Sequence, residues 1–162
     1  RENKKSHPNR IVSVYQKYVR PMVRGKAKHN TEFGAKINLS EVNGFCRIDR
    51  LNWEAYNESV DIKLQVYNYY DTYACFPAEL LADRIYLTRE NRKFLKQLNI
   101  KIYGKPLGRP KQQIKTSAQK YKDRKKEAQR NHVEGKFGRA KQGYGLNKIM
   151  ARRKDTSESW IN

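Results

Sequence analysis

The sequence predicts an α/β fold in which a mixed sheet is flanked by helices. Three observations predict it: an alternating hairpin pattern over residues 31–53, a helical pattern over 58–73, and a strand, helix and strand pattern over 79–103. Taken in order these segments give ββαβαβ, an order that is compatible with helices packed on a mixed sheet.

The amino-terminal residues 1–30 are basic and predict an arm outside the core. Within it, the segment from Arg10 to Gln16 predicts a short strand, because apolar residues recur along it. The cations that follow, among them Lys17 and Arg20, suit contact with a polyanion, and a solvated basic loop explains them equally well.

Residues 31–53 carry the clearest local pattern. Apolar and polar residues alternate on both sides of Asn43-Gly44, the dipeptide favoured in two-residue hairpin turns, so we predict an antiparallel hairpin. The helix that follows is predicted to bury one apolar stripe, formed by Val60, Leu64, Tyr67 and Tyr70. Its tyrosines would also suit base stacking, but core packing explains the same spacing more simply.

Asp83 follows a short apolar run that predicts a buried strand. Thr88 is then predicted to cap a helix with Glu90 in its first turn, and residues 100–103 predict a second strand. Ligands of open α/β sheets bind where strands end in front of helices, which makes Asp83 the first candidate for chemistry. The alternative is that Asp83 only forms the turn or pairs with Arg84.

Glu134 follows Asp83 by 51 residues, in a segment that predicts a helix. At 100° per residue, the side chains of Arg130, Glu134 and Lys141 fall within about 40° of one another. One carboxylate between two cations suits a site in which the acid holds a divalent ion and the cations hold phosphates. An ordinary surface pair between Arg130 and Glu134 is the alternative.

The last third of the chain predicts two parts: a basic linker or insertion over residues 105–129, and a carboxy-terminal helical part over 130–162. A strongly one-sided run of cations in the first part favours contact with DNA, although a solvated charged helix is the alternative. In the second part Gly135 and Gly138 each cost a helix about 1 kcal/mol relative to Ala, which predicts that another backbone, of protein or DNA, approaches there.

Composition limits the function classes. The chain has 36 Lys and Arg against 16 Asp and Glu, a net charge of +20, so nucleic acid is the expected partner. It lacks both an apolar run of about 18 residues and an amphipathic helix with a clean apolar face, so we expect no membrane contact. Cys46 and Cys75 form no C-x-x-C pair, which predicts reduced thiols in a cytosol.

Five segments carry a family resemblance: residues 20–26, 32–36, 83–92, 133–138 and 144–146. They are similar to the catalytic domain of bacterial insertion-sequence transposases of the DDE type, and together they extend over nearly the whole chain. The resemblance implies a ribonuclease-H-like fold, with a partial core over residues 31–104. In that fold a strand bearing the first catalytic aspartate precedes the hairpin. No such strand is visible, so the chain is expected to be a carboxy-terminal fragment, inactive alone.

The resemblance also implies residue roles. Related transposases carry a Tyr, then an Arg three residues later, a Glu four after that and a Lys seven further; the Arg, Glu and Lys match here, while Glu127 stands in the Tyr position. Asp83 and Glu134 are thereby implied as catalytic metal ligands, and Asp49 lies on the wrong strand of the hairpin pattern to supply the missing aspartate. Four cations are implied as DNA-binding residues: Arg130 and Lys141, with Lys136 and Arg139 as weaker candidates.

The implied cofactors are two Mg²⁺ or Mn²⁺ ions, held about 3.5–4 Å apart in the complete enzyme. The implied partner is double-stranded DNA, as transposon ends and target, bound by a homodimer in the bacterial cytoplasm at the nucleoid. A different class of protein, a non-enzymatic basic nucleic-acid-binding module, is the alternative, and a nuclease of the same fold would differ only in substrate.

Overall fold

The computed structural model describes residues 11–23, 31–104 and 116–162. These residues form six strands and four helices, with short 3-10 turns at Glu58–Asp61 and Arg84–Tyr86. The strands are β1 (Pro21–Val23), β2 (Thr31–Phe33), β3 (Lys36–Val42), β4 (Phe45–Asn52), β5 (Glu79–Leu81) and β6 (Lys101–Tyr103). The helices are α1 (Ile62–Tyr73), α2 (Arg89–Gln97), α3 (Ser117–Gly143) and α4 (Lys154–Ile161).

The predicted α/β class is confirmed, but the predicted single sheet is wrong for the described residues. Their strands form three separate two-stranded sheets: β1 with β2 and β3 with β4, both antiparallel, and β5 with β6, parallel. Four of the six strands have only three residues, so each presents few backbone groups along its free edge. A ribonuclease-H-like sheet is therefore not observed in these residues.

The predicted hairpin of β3 and β4 is confirmed. Asn43 and Gly44 have positive φ angles of 51° and 87°, as the turn with two left-handed residues requires. The pairing register shifts between Asn38 and Leu39, and Asn38 is buried rather than facing solvent as the alternation predicts. Burial of Asn38 is compensated because its side-chain amide donates a hydrogen bond of 2.8 Å to Asp61 Oδ2.

The apolar stripe predicted for the helix of residues 58–73 is wrong. Its four members are all exposed: Val60, Leu64, Tyr67 and Tyr70. Helix α1 instead buries Ile62 and Val66, which are spaced by one turn on another face. The tyrosines keep their rings at the surface, where Tyr67 and Tyr70 contact Phe76. Their spacing is helical, but it belongs to the solvent-facing edge of the helix.

Two small apolar clusters hold the chain together. In the first, the buried Ile62 and Val66 of α1 pack against Leu95 of α2 and Ile100. In the second, the buried residues Val19, Trp53 and Ile161 meet. Each fully buried aliphatic side chain stabilises the fold by about 1.5–3 kcal/mol.

The prediction of a strand from Arg10 to Gln16 is wrong for residues 11–16. Arg10 lies outside the described residues. Residues 11–16 form no strand, and β1 begins later, at Pro21. The side-chain amide of Gln16 donates to the backbone oxygens of Ile149 at 3.0 Å and Ala151 at 2.8 Å. The segment is therefore fixed to the carboxy-terminal part of the chain rather than to a sheet.

Candidate metal and DNA site

Asp83 lies where the sequence predicts, at the end of a strand that leads to a helix. Strand β5 ends at Leu81, and Asp83 Oδ1 then accepts a 2.7 Å hydrogen bond from the backbone N–H of Arg84 and so caps the 3-10 turn. Helix α2 follows, and Thr88 caps it as predicted by accepting a 3.2 Å hydrogen bond from the Asn91 N–H. Asp83 thus does form the turn, which was the alternative to a chemical role. Its side chain is 68% exposed and can still bind a ligand.

Close packing behind Asp83 depends on one glycine. A Cβ atom at Gly104, just after β6, would lie 2.6 Å from the Ala82 carbonyl oxygen and 2.8 Å from Leu87 Cδ1. Both distances are shorter than van der Waals contact, so only glycine lets the two parallel strands and the turn approach one another here.

Glu134 lies on α3, a continuous helix that crosses the boundary predicted between residues 129 and 130. The helix begins with a capping box between Thr116 and Gln119. Lys126 fixes it to the start of β5 by pairing with Glu79, and its ammonium lies 4.6 Å from the ring centroid of Tyr103 on β6. One turn after Lys126 the same face of the helix reaches the end of β5.

At that position Arg130 joins the two candidate acids. Its Nη1 atom lies 3.3 Å from Asp83 Oδ1 and 3.7 Å from Glu134 Oε1. The two carboxylate oxygens are therefore no farther apart than the sum of these two distances. The Arg130 side chain is only 24% exposed, whereas those of Asp83 and Glu134 are 68% and 72% exposed. Two open carboxylates thus face solvent around a half-buried guanidinium group.

Comparison with protein families identifies the chain. The protein-family model described as "Transposase DDE domain" matches residues 80–162, slightly more than half of the sequence. The chain belongs to the transposase DDE domain family. No curated protein and no solved structure matches it. The resemblance drawn from the sequence is confirmed over residues 80–162, while its segments at residues 20–26 and 32–36 lie outside the match. Membership connects the chain to DNA transposition.

The other cations of this transposase domain lie farther along α3. Lys136 donates a 2.9 Å hydrogen bond to the Gly44 carbonyl oxygen, which fixes the helix to the tip of the hairpin. Arg139 and Lys141 are exposed. From Glu134 to Lys141 the helix rises about 10 Å, so Lys141 continues the face of Arg130 and Glu134 away from the two acids. At 100° per residue, Lys136 and Arg139 lie on the other side of the helix.

DDE transposase domains use divalent metal ions, and the donor chemistry at this position fits one. Carboxylate oxygens are the ligands that Mg²⁺ prefers, and Mg²⁺ commonly takes only one or two protein carboxylates together with waters and substrate phosphates. Asp83 and Glu134 already converge on a cation, which shows that this place accommodates positive charge. Within the described ranges, no group of three or more His, Cys, Asp or Glu side chains could hold a metal ion.

The two glycines of α3 have open surroundings. A Cβ atom at Gly135 or Gly138 would meet no protein atom within 4 Å in the described part of the chain. The expectation that another segment of protein approaches here is therefore wrong for those residues, while an approach by DNA stays a prediction. No helix in the described residues is both long enough and apolar enough to cross a membrane.

Sequence reasoning missed the buried acid that supports the hairpin. Burial alone would raise the pKa of Asp61, but hydrogen bonds from Asn38 Nδ2 at 2.8 Å and Arg50 Nη1 at 2.7 Å outweigh it, and the pKa is lowered. Within the described residues the buried Tyr56 hydroxyl makes no hydrogen bond of ordinary geometry, so we assign the lowered pKa to the Asn38 and Arg50 contacts. No sequence pattern marks Asp61, because its partners come from two different strands.

Proposed function

We propose that this domain takes part in metal-dependent DNA strand cleavage and transfer, with Asp83 and Glu134 as ligands of Mg²⁺ or Mn²⁺. The observation that carries the proposal is the contact of one guanidinium group with both acids, at 3.3 and 3.7 Å. This contact brings together two carboxylates that are 51 residues apart in the sequence. It lies at the end of a strand, and both carboxylates are exposed, so a large anionic substrate can reach them.

Each residue has a defined part in this proposal. A divalent ion at the two acids would neutralise the charge that develops on the scissile phosphate and lower the pKa of an attacking water. Asp83 and Glu134 hold the ion, while Arg130 binds a DNA phosphate beside it and Lys141 binds a phosphate about 10 Å farther along the helix. Lys136 and Arg139 are weaker phosphate contacts, since Lys136 already binds the hairpin tip.

The two acids alone do not complete the three-carboxylate site that the family resemblance implies. We therefore propose that the 162-residue chain, by itself, binds metal and DNA but does not cut DNA. Incubation of the purified chain with Mg²⁺ and DNA that carries transposon ends should leave both strands intact on a denaturing gel. Mg²⁺-dependent nicking that disappears in Asp83→Asn would overturn this part of the proposal.

Metal binding tests the site itself. We expect isothermal titration with Mn²⁺ to show binding by the wild type, and Asp83→Asn and Glu134→Gln to weaken it at least tenfold. Both substitutions keep side-chain size and remove charge. Asp71→Asn and Glu54→Gln are matched controls, since they remove exposed carboxylates elsewhere; neither should change Mn²⁺ affinity.

The same four variants separate this proposal from a non-enzymatic DNA-binding module. Removing an acid does not remove any phosphate contact, so affinity for duplex DNA in the absence of metal should be unchanged or slightly higher in all four. Mn²⁺ binding that is equal in the wild type and in Asp83→Asn would contradict the metal site and leave the basic binding module as the function.

A further inference from the structure

A basic cleft that none of the candidate catalytic residues lines is formed where the amino-terminal segment meets the start of α4. It is shallow and open to solvent, with a volume of about 540 Å³. Four cations, two acids and two tyrosines line it. Its charge and its aromatic rings together indicate which ligand it suits.

The walls of this cleft are held in place by contacts across the chain. Gln16 donates to the backbone oxygens of Ile149 and Ala151, at 3.0 and 2.8 Å. The Tyr18 hydroxyl contacts Ser157 Oγ, and the Tyr18 ring meets Trp53 edge-on with ring centroids 4.5 Å apart. These contacts fix the backbone on both sides, so the cleft exists before any ligand arrives.

Pairing inside the cleft leaves a surplus of positive charge. Arg153 binds Asp155 through two hydrogen bonds of 3.1 and 2.6 Å. The second acid of the lining, Glu158, accepts a 2.8 Å hydrogen bond from Trp53 Nε1 and lies 3.8 Å from Lys154 Nζ. Both acids are thus neutralised by neighbours.

The two remaining cations of the lining are Lys17 and Arg152. Among the residues that the structure describes, neither forms an ion pair with an acid. Both side chains are exposed, and neither has to leave an acidic partner among the described residues to bind an anion. Together they provide two positive charges for a phosphate.

Tyr15 supplies an aromatic surface beside these charges. Its ring is 68% exposed, and the guanidinium carbon of Arg152 lies 4.9 Å from the ring centroid. This cation–π contact holds a planar guanidinium against the ring. Proteins that bind single-stranded nucleic acid use the same combination, in which bases stack on aromatic rings or guanidinium planes and cations hold the backbone.

We propose that this cleft binds an unpaired nucleotide of single-stranded DNA, with its base stacked on Tyr15 and its phosphates held by Lys17 and Arg152. A base within a duplex is stacked between its neighbours and cannot offer its face to a side chain without leaving the helix. The cleft therefore favours a strand that is already unpaired. The choice of DNA as the ligand follows from the proposed function.

Stacking is tested by removing either the ring or the base. Fluorescence anisotropy of the full chain is measured with a short labelled oligothymidine and with a matched oligomer whose residues are abasic. The wild type should bind the thymidine oligomer about tenfold more tightly, as one stacked base requires, and Tyr15→Leu should remove that preference. Tyr121→Leu is the matched control, because Tyr121 is 70% exposed on α3.

The charged part is tested in the same assay. Arg152→Gln should weaken binding of both oligomers, whereas Arg92→Gln, which removes an exposed cation from α2, should not. Circular dichroism of each variant checks the fold, which should be retained because all four side chains are exposed. Equal losses in Tyr15→Leu and Tyr121→Leu, or no loss in either, would overturn the proposal.

Failure of this inference can be told from failure of the proposed function. If Tyr15→Leu keeps the wild-type preference for bases while Asp83→Asn loses Mn²⁺ binding, the cleft is not a nucleotide site and the metal site stands. If Tyr15→Leu loses the preference while Asp83→Asn binds Mn²⁺ as the wild type does, the cleft stands and the metal site is wrong.

Discussion

Arg130 donates a hydrogen bond to Asp83 across 47 residues of sequence, with Nη1 3.3 Å from Oδ1. The same nitrogen lies 3.7 Å from Glu134 Oε1. The guanidinium group therefore contacts both of the acids that the proposed metal site would use. We infer that Arg130 and a divalent ion compete for one place, and that DNA favours the ion by offering Arg130 a phosphate instead.

Competition of this kind predicts that removing the arginine strengthens metal binding. A unit charge about 4 Å from another contributes roughly 1 kcal/mol in water. Arg130→Gln should accordingly lower the Kd for Mn²⁺ about fivefold in low salt, as measured by isothermal titration. Arg130→Lys keeps the charge and should bind Mn²⁺ nearly as the wild type does. Weaker binding by Arg130→Gln would show that the arginine orients the acids rather than competing with the ion.

Replacing the glycines of α3 with alanine should raise the stability of the protein and lower its affinity for DNA. Gly135→Ala and Gly138→Ala should each stabilise the helix by about 1 kcal/mol, since the added methyl group meets open space in the described part of the chain and Ala restricts the unfolded chain. Thermal unfolding followed by circular dichroism measures this. If DNA approaches the helix here, duplex affinity falls although stability rises.

Gly104→Ala is the opposite case and serves as the control. Its methyl group would overlap with the Ala82 carbonyl oxygen and Leu87 Cδ1, so the unfolding midpoint should fall. An equal rise in midpoint for all three alanine variants would contradict the close packing behind β6.

The lowered pKa of Asp61 predicts how stability changes in acid. Its ionised form is favoured in the folded state, so its contribution is fully present above the unfolded pKa of about 3.9 and is lost as the pH falls through the lower folded value. Asp61→Asn should cost about 2–3 kcal/mol at pH 7, because it removes the charge that Asn38 and Arg50 bind.

The free energy of unfolding, measured with urea at several pH values, should therefore differ less between wild type and Asp61→Asn as the pH falls below about 3.9. Asp71→Asn, an exposed control on α1, should keep a small and constant difference. A difference for Asp61→Asn that widens in acid would contradict the direction of the pKa change.

The exposed cations at the end of α3 predict the salt dependence of DNA binding. Arg139→Gln and Lys141→Gln should each reduce the slope of log Kd against log salt concentration by about 0.9, the value for one phosphate contact on duplex DNA. Lys136→Gln should change it less, since Lys136 binds the hairpin tip. Lys93→Gln removes an exposed charge from α2 and should leave the slope unchanged.

Local signals in the sequence were sufficient where one short segment determines the structure. The Asn43-Gly44 turn, the Thr88 cap and a strand before Asp83 are confirmed, because each depends on neighbours within a few residues. The predicted burial of that strand is wrong, since Glu79 is exposed and Leu80 and Leu81 are only half-buried. The stripe of α1 failed for the opposite reason. Helical spacing identifies a face, but whether that face meets the core depends on partners such as Leu95, which the spacing does not contain.

The geometry of the candidate site was likewise predictable only where it depends on residues close together in the sequence. The four-residue spacing of Arg130 and Glu134 places both on one face of a helix, and the structure retains their i, i+4 contact. Which strand end that face meets could not be predicted from spacing. It depends on Lys126 pairing with Glu79 and Lys136 binding Gly44, two contacts over 47 and 92 residues of sequence.

The family match begins at residue 80, yet both apolar clusters cross that position. Ile161 packs on Val19 and Trp53, and Leu95 packs on Ile62, so a shortened chain of residues 80–162 would leave the buried faces of α2 and α4 without cover. The region that matches the family is thus smaller than the unit that folds. Expression trials that cut at the edge of the match would yield an aggregating peptide, and a soluble one needs the earlier segments that carry Val19, Trp53 and Ile62.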